Sequence, residues 1–170
     1  MNNNKISLNT NNTIQTKNIL YSWLNNINPQ FFLSIQFPKH LRSTNLLKSN
    51  QNLKKIMLNF ERLSLKRHWN HNHIPFIAFS EQGKSLHWHY HIYIYNCPFD
   101  YLKMQLIIND LLTNLNLPTE TLHIEPILTP GVYQYTSKEI ITDINYHFDS
   151  DRIITSEFLF NLPHKSPKHT

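Results

Sequence analysis

Apolar residues recur along this chain with two different periods. Phe31 to Phe37 (FFLSIQF) is a strand-like run that stops at Pro38, whose missing N–H cannot join a sheet ladder. Leu53, Ile56, Met57, Phe60 and Leu63 are spaced three or four residues apart. That spacing puts them on one face of a helix and leaves Lys54, Lys55, Arg62, Lys66 and Arg67 for solvent. Residues 75–81 (PFIAFSE) and 86–95 (LHWHYHIYIY) read as two strands joined by a short turn carrying Gly83, an antiparallel hairpin. Asp100 is placed to cap a helix running to about Leu115, and Pro118 ends it. Residues 121–128 (TLHIEPIL) form a weaker strand made edge-like by Pro126. Thr129 and Pro130 then suit the N-cap and first turn of a helix over about 131–144. The order βαββαβα predicts an α+β fold with helices packed on one antiparallel sheet.

The ends differ from this middle. Residues 1–18 are rich in Asn and Thr without periodicity, and residues 163–170 (PHKSPKHT) are basic and contain proline. Both are expected to be mobile, flanking one folded domain over 19–162. The full 170 residues are one domain's worth of chain.

Composition narrows the chemistry. Apolar residues are 40% and charged residues 16%, which suits a folded core. With two glycines in the whole chain, no GxxxxGK[ST] or GxGxxG phosphate loop exists. Any phosphate must therefore be handled by side chains or a metal. The net charge of +5, with eleven histidines, favours a polyanionic partner such as nucleic acid. A lone cysteine, Cys97, excludes an intrachain disulfide and a CxxC zinc pair. No apolar run is long enough for a membrane span, and the first residues lack the apolar centre of a signal peptide. A cytoplasmic location and no membrane partner are the expectation.

The sharpest local feature is His87-Trp88-His89-Tyr90-His91. Alternation along a strand puts all three imidazoles on one face and leaves Trp88, Tyr90, Ile92 and Ile94 as the packed one. Glu81, at the end of the preceding strand, can add a carboxylate oxygen. Nitrogen and oxygen donors on one rigid face suit a divalent metal, Mn²⁺ or Mg²⁺, in phosphate chemistry. A single histidine is more often a hydrogen-bonded strand residue; three in alternation beside an acid point to a metal. His68, His71 and His73 lie in a polar stretch without strand period and read as loop residues.

A second feature lies in GVYQYTSKEI. Tyr135 and Lys138 are three residues apart and share a helix face. Tyr133 falls on the apolar stripe with Ile140, Ile141 and Ile144, about 200° around from Tyr135, so Tyr133 reads as core. Tyr135 is left outward, where a phenol can attack phosphorus while the Lys138 ammonium offsets the developing charge. Taken alone, such a pair is ordinary helix surface.

Together, FFLSIQFP, the segment ending in WHYH, and YTSK resemble, in order and approximate spacing, the three motifs of the HUH endonucleases that initiate rolling-circle replication. The resemblance covers residues 31 to 140. Tyr135-Thr136-Ser137-Lys138 is similar to the family's YxxK nucleophile motif, and Glu81 sits where these proteins often carry an acidic ligand. The family's His, hydrophobic residue, His pattern fits in two registers, 87/89 or 89/91. The Ile and Tyr run that follows favours His89 and His91, with His87 a third ligand or DNA contact.

The resemblance implies a ferredoxin-like or RRM-like antiparallel sheet, the HUH fold. It also implies a metal held by His89, His91 and Glu81, and attack by Tyr135 on single-stranded or origin-hairpin DNA. The products are a 5′-phosphotyrosyl link and a free 3′-OH. Lys54, Lys55, Arg62, Lys66 and Arg67 become candidate phosphate contacts. No helicase domain follows, so a plasmid or phage initiator working with a host helicase is implied.

Two alternatives stand beside this reading. A single-tyrosine transposase or relaxase keeps the chemistry, and a ligand role for His87 favours the relaxase. A non-catalytic RRM-like nucleic-acid-binding module instead stacks bases on Trp88, Tyr93 and Tyr95.

Overall fold

The structure, a computed structural model, describes residues 10–69, 71–128 and 152–160. By internal contacts the chain divides into two compact units, Met1–Asn28 with Thr129–Phe148, and Pro29–Leu128 with Asp149–Thr170.

In the first unit the described element is helix α1, Thr10–Ile27. It starts inside the Asn/Thr-rich segment that shows no apolar period. Among its described side chains, Leu20 and Leu24, four residues apart, are buried. Asn28 ends it at a φ of 52°, the left-handed conformation asparagine tolerates after a helix, and its N–H bonds back to the Leu24 carbonyl at 3.1 Å.

The second unit is an α+β fold built on a five-stranded antiparallel sheet. Its elements in chain order are β1 (Phe31–Ile35), α2 (Leu46–Leu65), β2 (Phe76–Gln82), β3 (Trp88–Ile94), α3 (Tyr101–Asn114), β4 (Leu122–Pro126), β5 (Ile153–Thr155) and α4 (Ser156–Phe160). The strand order is β4-β1-β3-β2-β5. Since β1 and β2 both pair antiparallel with β3, the chain between them must cross over. That interleaved β4-β1-β3-β2 order is ferredoxin-like. Pro126 pairs with Phe31 on the edge strand β4, where a missing N–H costs least.

Local chemistry sets the helices. The Asn45 side chain accepts from the Lys48 N–H, and Asp100 accepts from the Lys103 N–H at 2.8 Å, each satisfying a donor the first helical turn leaves free. Helix α2 buries Leu53, Ile56, Met57 and Phe60, with Leu63 at the margin. From α3 come Met104, Ile107, Ile108, Leu111 and Leu112. These side chains form one cluster with Phe31, Leu33 and Ile35 of β1, Phe76 and Ala78 of β2, and Tyr90, Ile92 and Ile94 of β3. Burying each such side chain stabilises the fold by about 1.5–3 kcal/mol. Both helices therefore cover one face of the sheet, the face expected to be packed from the sequence of β3. The polar side of α2 carries exposed Lys55 and Arg62 and half-buried Lys54, while Lys66, at a φ of 49°, and Arg67 are exposed just past its end.

Two elements of this unit had no counterpart in the sequence pattern, as α1 of the first unit had none. Strand β5 is three residues long and pairs with β2 at Ile77–Phe79; α4 follows it and adds Leu159 to the core. Three residues are too few to display an alternating period.

Candidate metal centre

Alternation turns Glu81, His89 and His91 away from α2 and α3. Glu81 is the register partner of His89 across the β2–β3 hairpin. His91 is two residues further along the same strand and so on the same face. The result is convergence on one atom. Glu81 Oε2 lies 3.0 Å from His89 Nε2 and 3.1 Å from His91 Nε2. The two imidazoles meet edge to face, 5.3 Å between centroids, and the Phe32 ring stacks on His91 from β1 at 5.5 Å.

One ligand atom from each of the three residues lies within 4.8 Å of the others. Two imidazole nitrogens and a carboxylate oxygen, held on rigid strands and half-buried, form a donor set that can bind a divalent metal. This is the ligand set drawn from the 89/91 register. His87 does not join it: among the described residues the metal-type group is Glu81, His89 and His91 alone. The reason is local. Leu86 adopts a φ of 60°, and β3 begins only at Trp88, so the alternation that was to align His87 with the other two starts after it. His87 instead lines a 240 Å³ cavity beside His89 with Gln36, Arg42 and Ser85.

The hairpin turn is closed by backbone hydrogen bonds. Gly83 donates its N–H to the His87 carbonyl at 3.1 Å and accepts the Leu86 N–H at 2.8 Å, yet its own φ is not positive. A Cβ there would meet His89 Cε1 at 3.7 Å, an ordinary contact. The strained position is Leu86.

The basic residues proposed as phosphate contacts lie elsewhere. Helix α2 packs on the opposite face of the sheet from Glu81, His89 and His91, so Lys54, Lys55, Arg62, Lys66 and Arg67 do not meet the metal group. Arg62 lies over the Trp69 ring, 4.7 Å from its centroid.

The rings proposed for base stacking are largely hidden. Tyr93 is 0% exposed and packs edge-on against Phe79. Trp88 is 9% exposed and donates its indole N–H to the Thr44 carbonyl at 3.0 Å. Tyr95 is half-buried, and burial together with the Glu157 carboxylate raises its phenol pKa.

One polar cluster escaped sequence reading. Glu61, on the buried face of α2, accepts the Ile74 N–H at 2.9 Å and meets His73 Nδ1 at 3.0 Å. An acid at a core position of an amphipathic helix was its only trace in the sequence. Tyr133, Tyr135, Lys138 and the expected helix over 131–144 lie outside the described residues. None of the described helices is long and apolar enough to cross a membrane. No family model, curated protein or solved structure matches the chain.

Proposed function

We propose that this protein is a metal-dependent DNA-nicking enzyme of the HUH type, a replication initiator whose nucleophile is Tyr135. The observation that carries the proposal is the convergence of His89 Nε2 and His91 Nε2 on Glu81 Oε2, 3.0 and 3.1 Å away. Two imidazoles and a carboxylate meeting at one point offer the nitrogen and oxygen donors that a divalent cation takes.

When bound there, Mn²⁺ or Mg²⁺ would supply Lewis acidity to a phosphate oxygen. His89 and His91 offer neutral nitrogen lone pairs, and Glu81 offsets positive charge and orients both rings. Tyr135 attacks the phosphorus of single-stranded or origin-hairpin DNA. The Tyr135 O–P bond forms, the bond to the 3′ oxygen breaks, and that oxygen leaves as a free 3′-OH, with Lys138 offsetting charge on the phosphoryl oxygens. Reversal of the same exchange rejoins strands. A host helicase would open the duplex.

A single-tyrosine transposase or relaxase shares this chemistry; the place of His87 outside the ligand group counts against the relaxase. The base-stacking module loses support from the burial of Tyr93 and Trp88.

The test is incubation with labelled single-stranded DNA and Mn²⁺, resolved on denaturing gels beside Tyr135→Phe, Tyr133→Phe and His89→Ala. A protein-linked DNA band that survives denaturation, persists in Tyr133→Phe and vanishes in the other two is the expected result. Binding without cleavage or adduct under any divalent metal would overturn it.

A further inference from the structure

The 240 Å³ cavity that adjoins His89 is polar in an unusual way. Its side chains include Gln36, Arg42, Ser85 and His87, and among the described residues no carboxylate lines it. Arg42 donates Nε–H to the Phe37 carbonyl at 2.9 Å. That bond fixes the plane of the guanidinium and leaves its terminal NH₂ groups, and among the described residues no carboxylate pairs with Arg42. Nδ1 of His87 is buried with no hydrogen-bond partner among them. Buried polar atoms are seldom left unsatisfied without a ligand or water to meet them. Gln36 extends β1 by one residue beyond Ile35, whose register partner is Tyr90. It therefore stands opposite His89, on the face of the metal group.

A fixed guanidinium, an amide and a hydroxyl, with no acid among them and the His87 ring beside them, form a site for an oxyanion. We propose that this cavity seats a backbone phosphate of single-stranded DNA, adjacent to the phosphate presented to Glu81, His89 and His91. Arg42 is its anchor, and Gln36, Ser85 and His87 complete the site. The inference rests on the nucleic-acid reading of the metal centre, but it concerns binding and needs no cleavage.

The test uses the full chain carrying Tyr135→Phe, without added metal, and a fluorescein-labelled oligothymidylate of about twelve nucleotides followed by anisotropy across a salt series. Two variants are added separately. Arg42→Met keeps the aliphatic stem and removes the charge. Ser85→Glu puts an acid into the cavity at an exposed turn position without removing a hydrogen bond of the fold. Each is expected to weaken binding about tenfold, the loss of one charged hydrogen-bonded contact. Arg42→Met should also reduce the magnitude of the slope of log K against log salt by about 0.7, one single-strand phosphate contact.

Unchanged affinity and slope in both variants, with the parent still binding, would overturn the phosphate site and leave the nicking reading standing. No binding by the parent would overturn both. If inorganic phosphate at submillimolar concentration protects the parent from thermal unfolding, but not Ser85→Glu, while oligothymidylate affinity ignores both substitutions, the cavity takes a free anion and the DNA assignment is wrong. Failure of the gel assay alone, with Arg42-dependent binding intact, removes the catalysis and keeps the site.

Discussion

The carboxylate of Glu61 and the backbone N–H of Ile74 are joined by a 2.9 Å hydrogen bond across thirteen residues of chain. Glu61 is wholly buried, and its second oxygen meets His73 at 3.0 Å. This pair ties the end of α2 to the entry of β2, the strand that carries Glu81.

Removing that tie should be costly. Glu61→Ala leaves the buried Ile74 N–H without its partner, and a loss of about 3 kcal/mol in urea unfolding is expected. A change below about 1 kcal/mol would mean that the bond is replaced in solution. The pH dependence has a definite sign. Burial raises the Glu61 carboxyl above its ordinary 4.5, against the opposing pull of His73 and the Ile74 N–H. A carboxyl held higher in the folded state than in the unfolded chain lends stability below the unfolded value and loses it as pH rises through the folded one. The stability of the wild type relative to Glu61→Gln should therefore fall from about pH 4.5 upward and level off once the folded carboxyl has ionised. A difference rising over the same range would contradict the assignment.

Metal binding provides a direct check on the hairpin geometry. Mn²⁺ followed by calorimetry should bind the wild type and His87→Ala equally. His89→Ala, His91→Ala and Glu81→Ala should each lose at least about tenfold in affinity. At a hundred times its dissociation constant the ion should stabilise the fold by about 2.7 kcal/mol, and a chelator should remove the gain. A His87→Ala loss as large as the others would return His87 to the ligand set.

Leu86 offers a gain instead of a loss. It is 60% exposed at a φ of 60°, a conformation that costs a residue with a Cβ about 1 kcal/mol. Leu86→Gly should raise unfolding stability by up to about that amount while leaving Mn²⁺ affinity unchanged. A drop in stability would show that the leucine side chain contributes packing that its exposure conceals.

The Tyr90 hydroxyl donates to Asn50 Oδ1 at 2.6 Å beneath the sheet, and burial holds its phenol pKa well above the ordinary value. Tyr90→Phe and Asn50→Ala should each cost about 1 kcal/mol. The double variant should cost clearly less than their sum, since both remove one bond. Strict additivity would mean that the two do not interact.

By itself the sequence determined the parts whose signal is local. The 3.6-residue period of Leu53 to Phe60, the cap at Asp100, the alternating apolar face of β3 and the edge position of Pro126 all act between residues close in the chain. A linear pattern therefore carries them. The nearness of Glu81 to the histidine strand was legible for the same reason, because a hairpin brings the end of one strand beside the start of the next.

What tertiary structure decided was everything set by distant contacts or by a single backbone angle. The positive φ of Leu86 kept His87 out of β3 and left the metal group to His89, His91 and Glu81. The packing of α2 on the far face separated its basic side from that group, although amphipathicity alone had said only that the side was solvated. Glu61 was drawn inward by an N–H thirteen residues away, and β5 exists only because β2 offers its three residues an edge to pair with. In each case the partner supplying the free energy lies far along the chain or across the sheet, where neither composition nor period can register it.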